Sequence, residues 1–268
     1  MRYHRTMMKH RVFQLLACLL LGLWAVQAQA QISTGVWWST SQPGRGYIVE
    51  VSGSRALIGV LGYRSGGTSA WYSSVGSLFS SSVFSGDLYE YAGGQTLSGA
   101  ARAPTSTIAV GTLSFTTTSA TDASIILPGA QSLALKRYEF VGSGATIGRP
   151  SGAPETGWWW NANEPGRGYF IEVQGNQLFM LLMMYESDGT SRWYTATGSL
   201  VFGPFGLRPT MTATLEEYGG GPTLAGAYTT PSRTSTPGQI TATFSSTTAG
   251  SIILPNGSTV ALTRFSGF

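Results

Sequence analysis

The sequence predicts an all-β fold: two tandem antiparallel meander units, as small up-and-down barrels in preference to β-sandwiches or one shared barrel. Three observations carry this. Apolar and aromatic runs alternate along the chain with clusters of Gly, Asn, Asp, Ser and Pro, the punctuation of short strands. Connectors such as Gln174-Gly175-Asn176 and Ser187-Asp188-Gly189 suit tight hairpins. The chain also repeats itself. Thr34–Leu78 aligns on Thr156–Leu200 without a gap, with 22 identities in 45 positions. Further on, Leu88–Gly94 matches Leu215–Gly221 and Ser-Ile-Ile-Leu-Pro recurs at 124–128 and 251–255. Eight or so strands with one apolar face favour closure, which removes exposed edges.

Residues 1–30 read as a secretory signal peptide. Arg2, Arg5, Lys9 and Arg11 precede an apolar run from Val12 to Val26, and Ala28-Gln29-Ala30 forms a small-x-small cleavage site. The run is short for a membrane span, which needs about 20 residues. Leu15-Leu16-Ala17-Cys18 is a loose match to a lipoprotein box, but the apolar run continues through Leu19–Leu21. The expected product is exported, periplasmic or extracellular, with no integral membrane span in the mature chain.

Cleavage changes the inventory. His4, His10 and Cys18, all the His and Cys in the chain, fall in the leader. Of 16 basic residues four also fall there, leaving 12 against 12 acidic ones. A neutral mature chain gives no argument for nucleic acid. Without His or Cys it has no Ser-His-Asp or Cys-His nucleophile system, no zinc site of the usual kind and no disulfide. No cofactor and no metal is expected.

Unit 1 spans 31–140 and unit 2 spans 156–268. The Gly/Pro/Ser-rich segment 141–155 has linker composition. In unit 2, strands are expected near 157–162, 168–174, 177–186, 191–199, 210–218, 223–229, 238–245, 249–254 and 258–265. An outer-membrane barrel is disfavoured. Inward from Phe268 the alternate positions include Ser266 and Arg264, and Leu178–Met184 is apolar on both faces.

Each unit carries a Trp pair, then Pro-Gly-Arg-Gly-Tyr, a Glu, an isolated Tyr and a Trp-Tyr pair. Pro43-Gly44 and Pro165-Gly166 fit the centre of a type II turn. Strand parity puts Tyr47 and Val49 on one face and Ile48 and Glu50 on the other, so Arg45 and Glu50 should not pair within their strand. Charges on faces shared with aliphatic residues need partners. Glu90, Arg137, Glu217 and Arg264 are candidates for structural cross-strand ion pairs. Candidates for ligand contact are Trp38, Arg45, Glu50, Trp71 and Tyr72, with Trp160, Arg167, Glu172, Trp193 and Tyr194. Adjacent tryptophans face opposite ways, so at most one of each pair fills the core; the other is exposed, lines a cavity or contacts the sister unit, and an outward Trp near a Tyr would suit a sugar ring or an apolar molecule. Trp158 stands where unit 1 has Val36, and Met183-Met184 where it has Leu61-Gly62, so the units can differ in affinity.

The full pattern, Gly-x-Trp-Trp, Pro-Gly-Arg-Gly-Tyr, Glu, Asp-Gly, Trp-Tyr, resembles a β-repeat family of exported proteobacterial proteins and covers nearly all of both units. That resemblance implies export and β-structure, and no reaction. The ten residues around Gly-Trp-Trp-Trp-Asn also resemble the opening strand of avidin-like barrels, and no biotin site is carried over on them. The expected function is non-catalytic: an exported protein that binds an unknown small molecule or glycan through aromatic residues, with Arg and Glu for orientation. The alternatives are a structural or protein-interaction module of the cell envelope and a carboxylate-dependent hydrolase.

Overall fold

The computed structural model describes residues 30–130, 132–141, 148–204 and 208–268. The expected signal peptide, with Cys18, lies outside these residues except for Ala30, as do residues 142–147 of the expected linker.

Among the described residues the chain forms sixteen strands in two closed eight-stranded barrels. The first barrel comprises β1 (Gly35–Trp38), β2 (Gly46–Ser52), β3 (Arg55–Tyr63), β4 (Ser69–Ser80), β5 (Val83–Ala92), β6 (Ser106–Thr117), β7 (Asp122–Ile126) and β8 (Leu133–Arg137). The second comprises β9 (Gly157–Trp160), β10 (Gly168–Gln174), β11 (Gln177–Tyr185), β12 (Ser191–Ser199), β13 (Thr210–Gly219), β14 (Ser232–Phe244), β15 (Ala249–Ile253) and β16 (Thr259–Arg264). Every neighbour pair within a barrel is antiparallel. The first and last strands close each ring, with Trp37 opposite Arg137 and Trp159 opposite Arg264. Closure leaves neither barrel with an open edge.

The hairpins follow their turn chemistry. Gln174 pairs with Gln177 across two residues, and Gly175 supplies the positive φ that the first central position requires. An eight-stranded ring is just wide enough for side chains to fill. Trp37, Tyr47, Phe84 and Phe115 fill the first barrel; Trp159, Tyr169, Phe244 and Leu215 fill the second. The packing repeats closely. Trp37 meets Phe115 edge-on with ring centres 5.6 Å apart, and Trp159 meets Phe244 at the same separation.

Parity holds in β2. Tyr47 and Val49 point into the barrel, while Ile48 joins a third apolar cluster with Leu61, Trp158, Phe170, Leu181 and Trp193. That cluster draws on both barrels and is their joint. This is why Leu178–Met184 is apolar on both faces: one face lines the barrel and the other lines the joint.

One expected strand is absent. Residues 223–229 form a loop, and β14 begins at Ser232, six residues ahead of the expected start. The aliphatic residue of this loop, Leu224, packs against the core of the other barrel.

Candidate functional site

The connection after β5, residues 93–105, leaves the first barrel and lies against the second. Gly93 N–H donates to Gly189 O at 2.8 Å, and Tyr185 N–H donates to Gln95 O at 3.1 Å. Leu97 packs on the core of the second barrel. The connection after β13, residues 220–231, does the same in reverse. Gly220 N–H donates to Gly67 O at 2.7 Å, and Leu224 packs on the core of the first barrel. Each barrel therefore lends its longest loop to its neighbour.

The Arg of each Pro-Gly-Arg-Gly-Tyr run holds the loop that arrives. Arg45 Nη1 donates to the carbonyls of Thr223 and Leu224 at 3.1 and 2.9 Å. Arg167 Nη1 donates to Leu97 O at 3.1 Å. The turns carrying them need glycine. Gly44 and Gly166 both sit at φ +109°, and a Cβ on Gly166 would lie 1.9 Å from Arg102 O. So the repeated motif is a clamp on the sister barrel's loop.

The repeated Glu is used at the joint. Glu172 Oε1 accepts from Arg137 Nη2 at 2.5 Å, and its Oε2 accepts from Val36 N–H at 2.7 Å. Reciprocally, Glu50 Oε1 accepts from Arg264 Nη2 and its Oε2 from Trp158 N–H at 2.6 Å. Burial raises the Glu50 carboxyl above its usual pKa, against the lowering effect of the hydrogen bonds from Arg264 and Trp158. The expectation of ion pairs inside one barrel is thus corrected for Arg137 and Arg264. Their carboxylates come from the other barrel, because Glu50 and Glu172 face outward into the joint. Glu90 and Glu217 do pair within their barrels, with Arg64 and Arg192. Neither arginine was singled out in the sequence. They are not equivalent in the repeat, since Arg64 aligns with Glu186 and Arg192 with Ala70.

The aromatic candidates divide by face. Tyr72 and Tyr194 lie inside the barrels. Trp38 and Trp160 point outward and rest edge-on against Tyr138 and Phe265. Trp71 and Trp193 cross the joint in matching fashion. Trp71 Nε1–H donates to Met184 O at 3.0 Å, and Trp193 Nε1–H donates to Gly62 O at 3.2 Å. They stack on Tyr91 and Tyr218 respectively.

At the joint, Trp71 and Arg167 line a cleft of about 250 Å³ with Tyr91, Trp158, Met183 and Tyr185. Trp158 Nε1 and Tyr185 Oη are buried there without a protein partner. The cleft is lopsided with respect to the repeat. Trp158 and Leu57 line it, and their equivalents across the joint are Val36 and Phe179. Glu50, Glu172, Trp38 and Trp160 are not among its lining residues.

A second cleft of about 390 Å³ holds two carboxylates, Glu90 and Asp188. Glu90 is tied to Arg64. Asp188 accepts from the N–H and hydroxyl of Thr190, which hold its pKa below the ordinary carboxyl value. Glycoside hydrolysis needs one carboxyl kept protonated, and the Thr190 hydrogen bonds favour the ionised form of Asp188. No helix among the described residues is long and apolar enough to cross a membrane. No protein-family model, no curated protein and no solved structure matches the chain, so the chemistry is read from its own residues.

Proposed function

We propose that this chain is an exported, non-catalytic binding protein and that its ligand is a small apolar or aromatic molecule held in the joint cleft. One observation carries the reading: Trp158, the tryptophan that unit 1 lacks, lines an almost wholly apolar cleft together with Trp71, Tyr91, Met183 and Tyr185. The volume lies just under the usual range of about 300–1,000 Å³ for ligand sites, which suits a single ring or a short chain. Walls of Trp, Tyr, Leu and Met favour an apolar body over a glycan, whose hydroxyls need many polar partners.

The test is titration of intrinsic Trp fluorescence with single-ring aromatics and short aliphatic alcohols, using the native chain and Trp158→Val. That substitution copies the equivalent residue of unit 1. A saturable shift in the native chain, lost in a folded Trp158→Val variant, is expected. The same response from both proteins would overturn the assignment.

A further inference from the structure

The two clamp arginines differ in one respect that the repeat makes visible. Arg167 Nη2 donates to the carboxylate of Glu164 three residues earlier. At the equivalent place unit 1 has Gln42, whose Oε1 accepts from Arg45 Nη2 at 2.6 Å. An amide satisfies the hydrogen bond and leaves the charge unbalanced. Arg45 is 5% exposed, and among the described residues no carboxylate oxygen lies within the 4.0 Å of an ion pair. Its Nε is buried without a partner. Arg167 Nε shares that condition, so the difference between the two sites is the missing negative charge. A buried guanidinium without a counter-charge is costly, and binding an anion removes the cost.

The space for that anion is present. Arg45 and Gln42 line a pocket of about 400 Å³ between the first barrel and the loop lent by the second. Leu127, Leu133 and Leu224 also line it, with Ser132 and the loop glycines adding polar surface. Of the five guanidinium N–H groups, two of Nη1 and one of Nη2 are committed. Nε–H has no acceptor, and one Nη2 hydrogen is left over. We infer that this pocket is a site for a small aliphatic carboxylate. Its charged end faces the Arg45 side chain and balances there the charge that Glu164 balances at Arg167, and its chain lies along the leucines. A bare inorganic anion would leave the leucine walls unused. The site is separate from the joint cleft and does not depend on it, since Trp158 lines only the latter.

Isothermal titration calorimetry with butanoate, hexanoate and octanoate tests this, with 1-hexanol and inorganic phosphate as comparators. The proteins are the full chain, Gln42→Glu and Trp158→Val. Saturable hexanoate binding is expected, and in Trp158→Val, whose joint cleft is altered, hexanol and phosphate should be weaker by about tenfold or more. Gln42→Glu supplies the carboxylate internally, as unit 2 does, so it should melt no lower than the native chain and lose hexanoate binding by a similar factor. Trp158→Val should bind hexanoate as the native chain does. No saturable heat from any carboxylate up to millimolar concentration would overturn the inference. So would undiminished binding by a folded Gln42→Glu, or phosphate binding as tightly as hexanoate.

Discussion

Replacing Glu50 by Ala should cost this protein more stability than removing a partner from an ion pair at its surface. The Glu50 side chain is 5% exposed and that of Arg264 is 14% exposed. Without the carboxylate, the guanidinium would keep the carbonyls of Thr156, Trp158 and Phe265 and, as its remaining counter-charge, the more exposed Glu155 carboxylate 3.8 Å from Nε. Breaking a buried pair by deleting one partner costs about 3–5 kcal/mol. The orphaned Trp158 N–H adds about 1–3 kcal/mol taken alone. The two groups share one carboxylate, so their costs overlap, and a total of about 4 kcal/mol is expected. For a chain of this size each kcal/mol shifts the melting temperature by about 2–4 °C, so Glu50→Ala should melt about 12 °C lower in differential scanning calorimetry. Arg233→Ala is the comparison. It removes a pair with Glu216 in which the Arg side chain is 56% exposed, worth under about 1 kcal/mol. A drop for Glu50→Ala no larger than that for Arg233→Ala would refute the idea that this pair holds the barrels together.

Two further outcomes concern the buried tyrosines. The Tyr47 and Tyr169 hydroxyls lie in the barrel interiors with no protein partner, so Tyr47→Phe and Tyr169→Phe should leave stability at neutral pH unchanged or raise it by up to about 1 kcal/mol; a clear loss in urea unfolding would count against this. Burial also pushes both hydroxyls from 10.0 up to about 12. An acid whose pKa is raised by folding contributes stability that is complete below its unfolded value and lost as pH rises through the folded one. Melting temperature should therefore fall between pH 10 and pH 12, and the double Tyr→Phe variant should flatten that fall; an unaltered profile would show that other groups control it.

The fold was largely legible because β-structure declares itself locally. Turn residues such as Gly175 and the period-two pattern of β2 depend only on neighbours in sequence. The duplication then showed that one barrel would be made twice. Failures came where a residue's environment belongs to the other barrel. Residues 223–229 read as a strand, yet the apolar partner of Leu224 lies across the joint. Parity placed Glu50 outward correctly, but parity names a face and not what covers it. The sister barrel covers it, and Arg264 is 214 residues away in sequence. Arg64 and Arg192 carry no mark in the repeat, because the two units meet the same need from different positions. The outward tryptophan of each pair was the natural ligand candidate. The structure rests both against aromatic neighbours and brings Trp158, the unrepeated one, to the cleft.

The exchange of loops has a consequence for how such a protein can change. In a dimer of identical chains, every substitution at the joint is made twice, once on each side of the axis. A ligand pocket gained on one side is gained on both, and a residue that spoils packing spoils it in duplicate. Here the two halves are joined in one chain and can drift apart singly. Glu164 can remain with Arg167 while Gln42 stands beside Arg45, and Trp158 can enter one side of the joint while Val36 keeps the other compact. One half is thus free to specialise while its partner keeps the contacts that hold both.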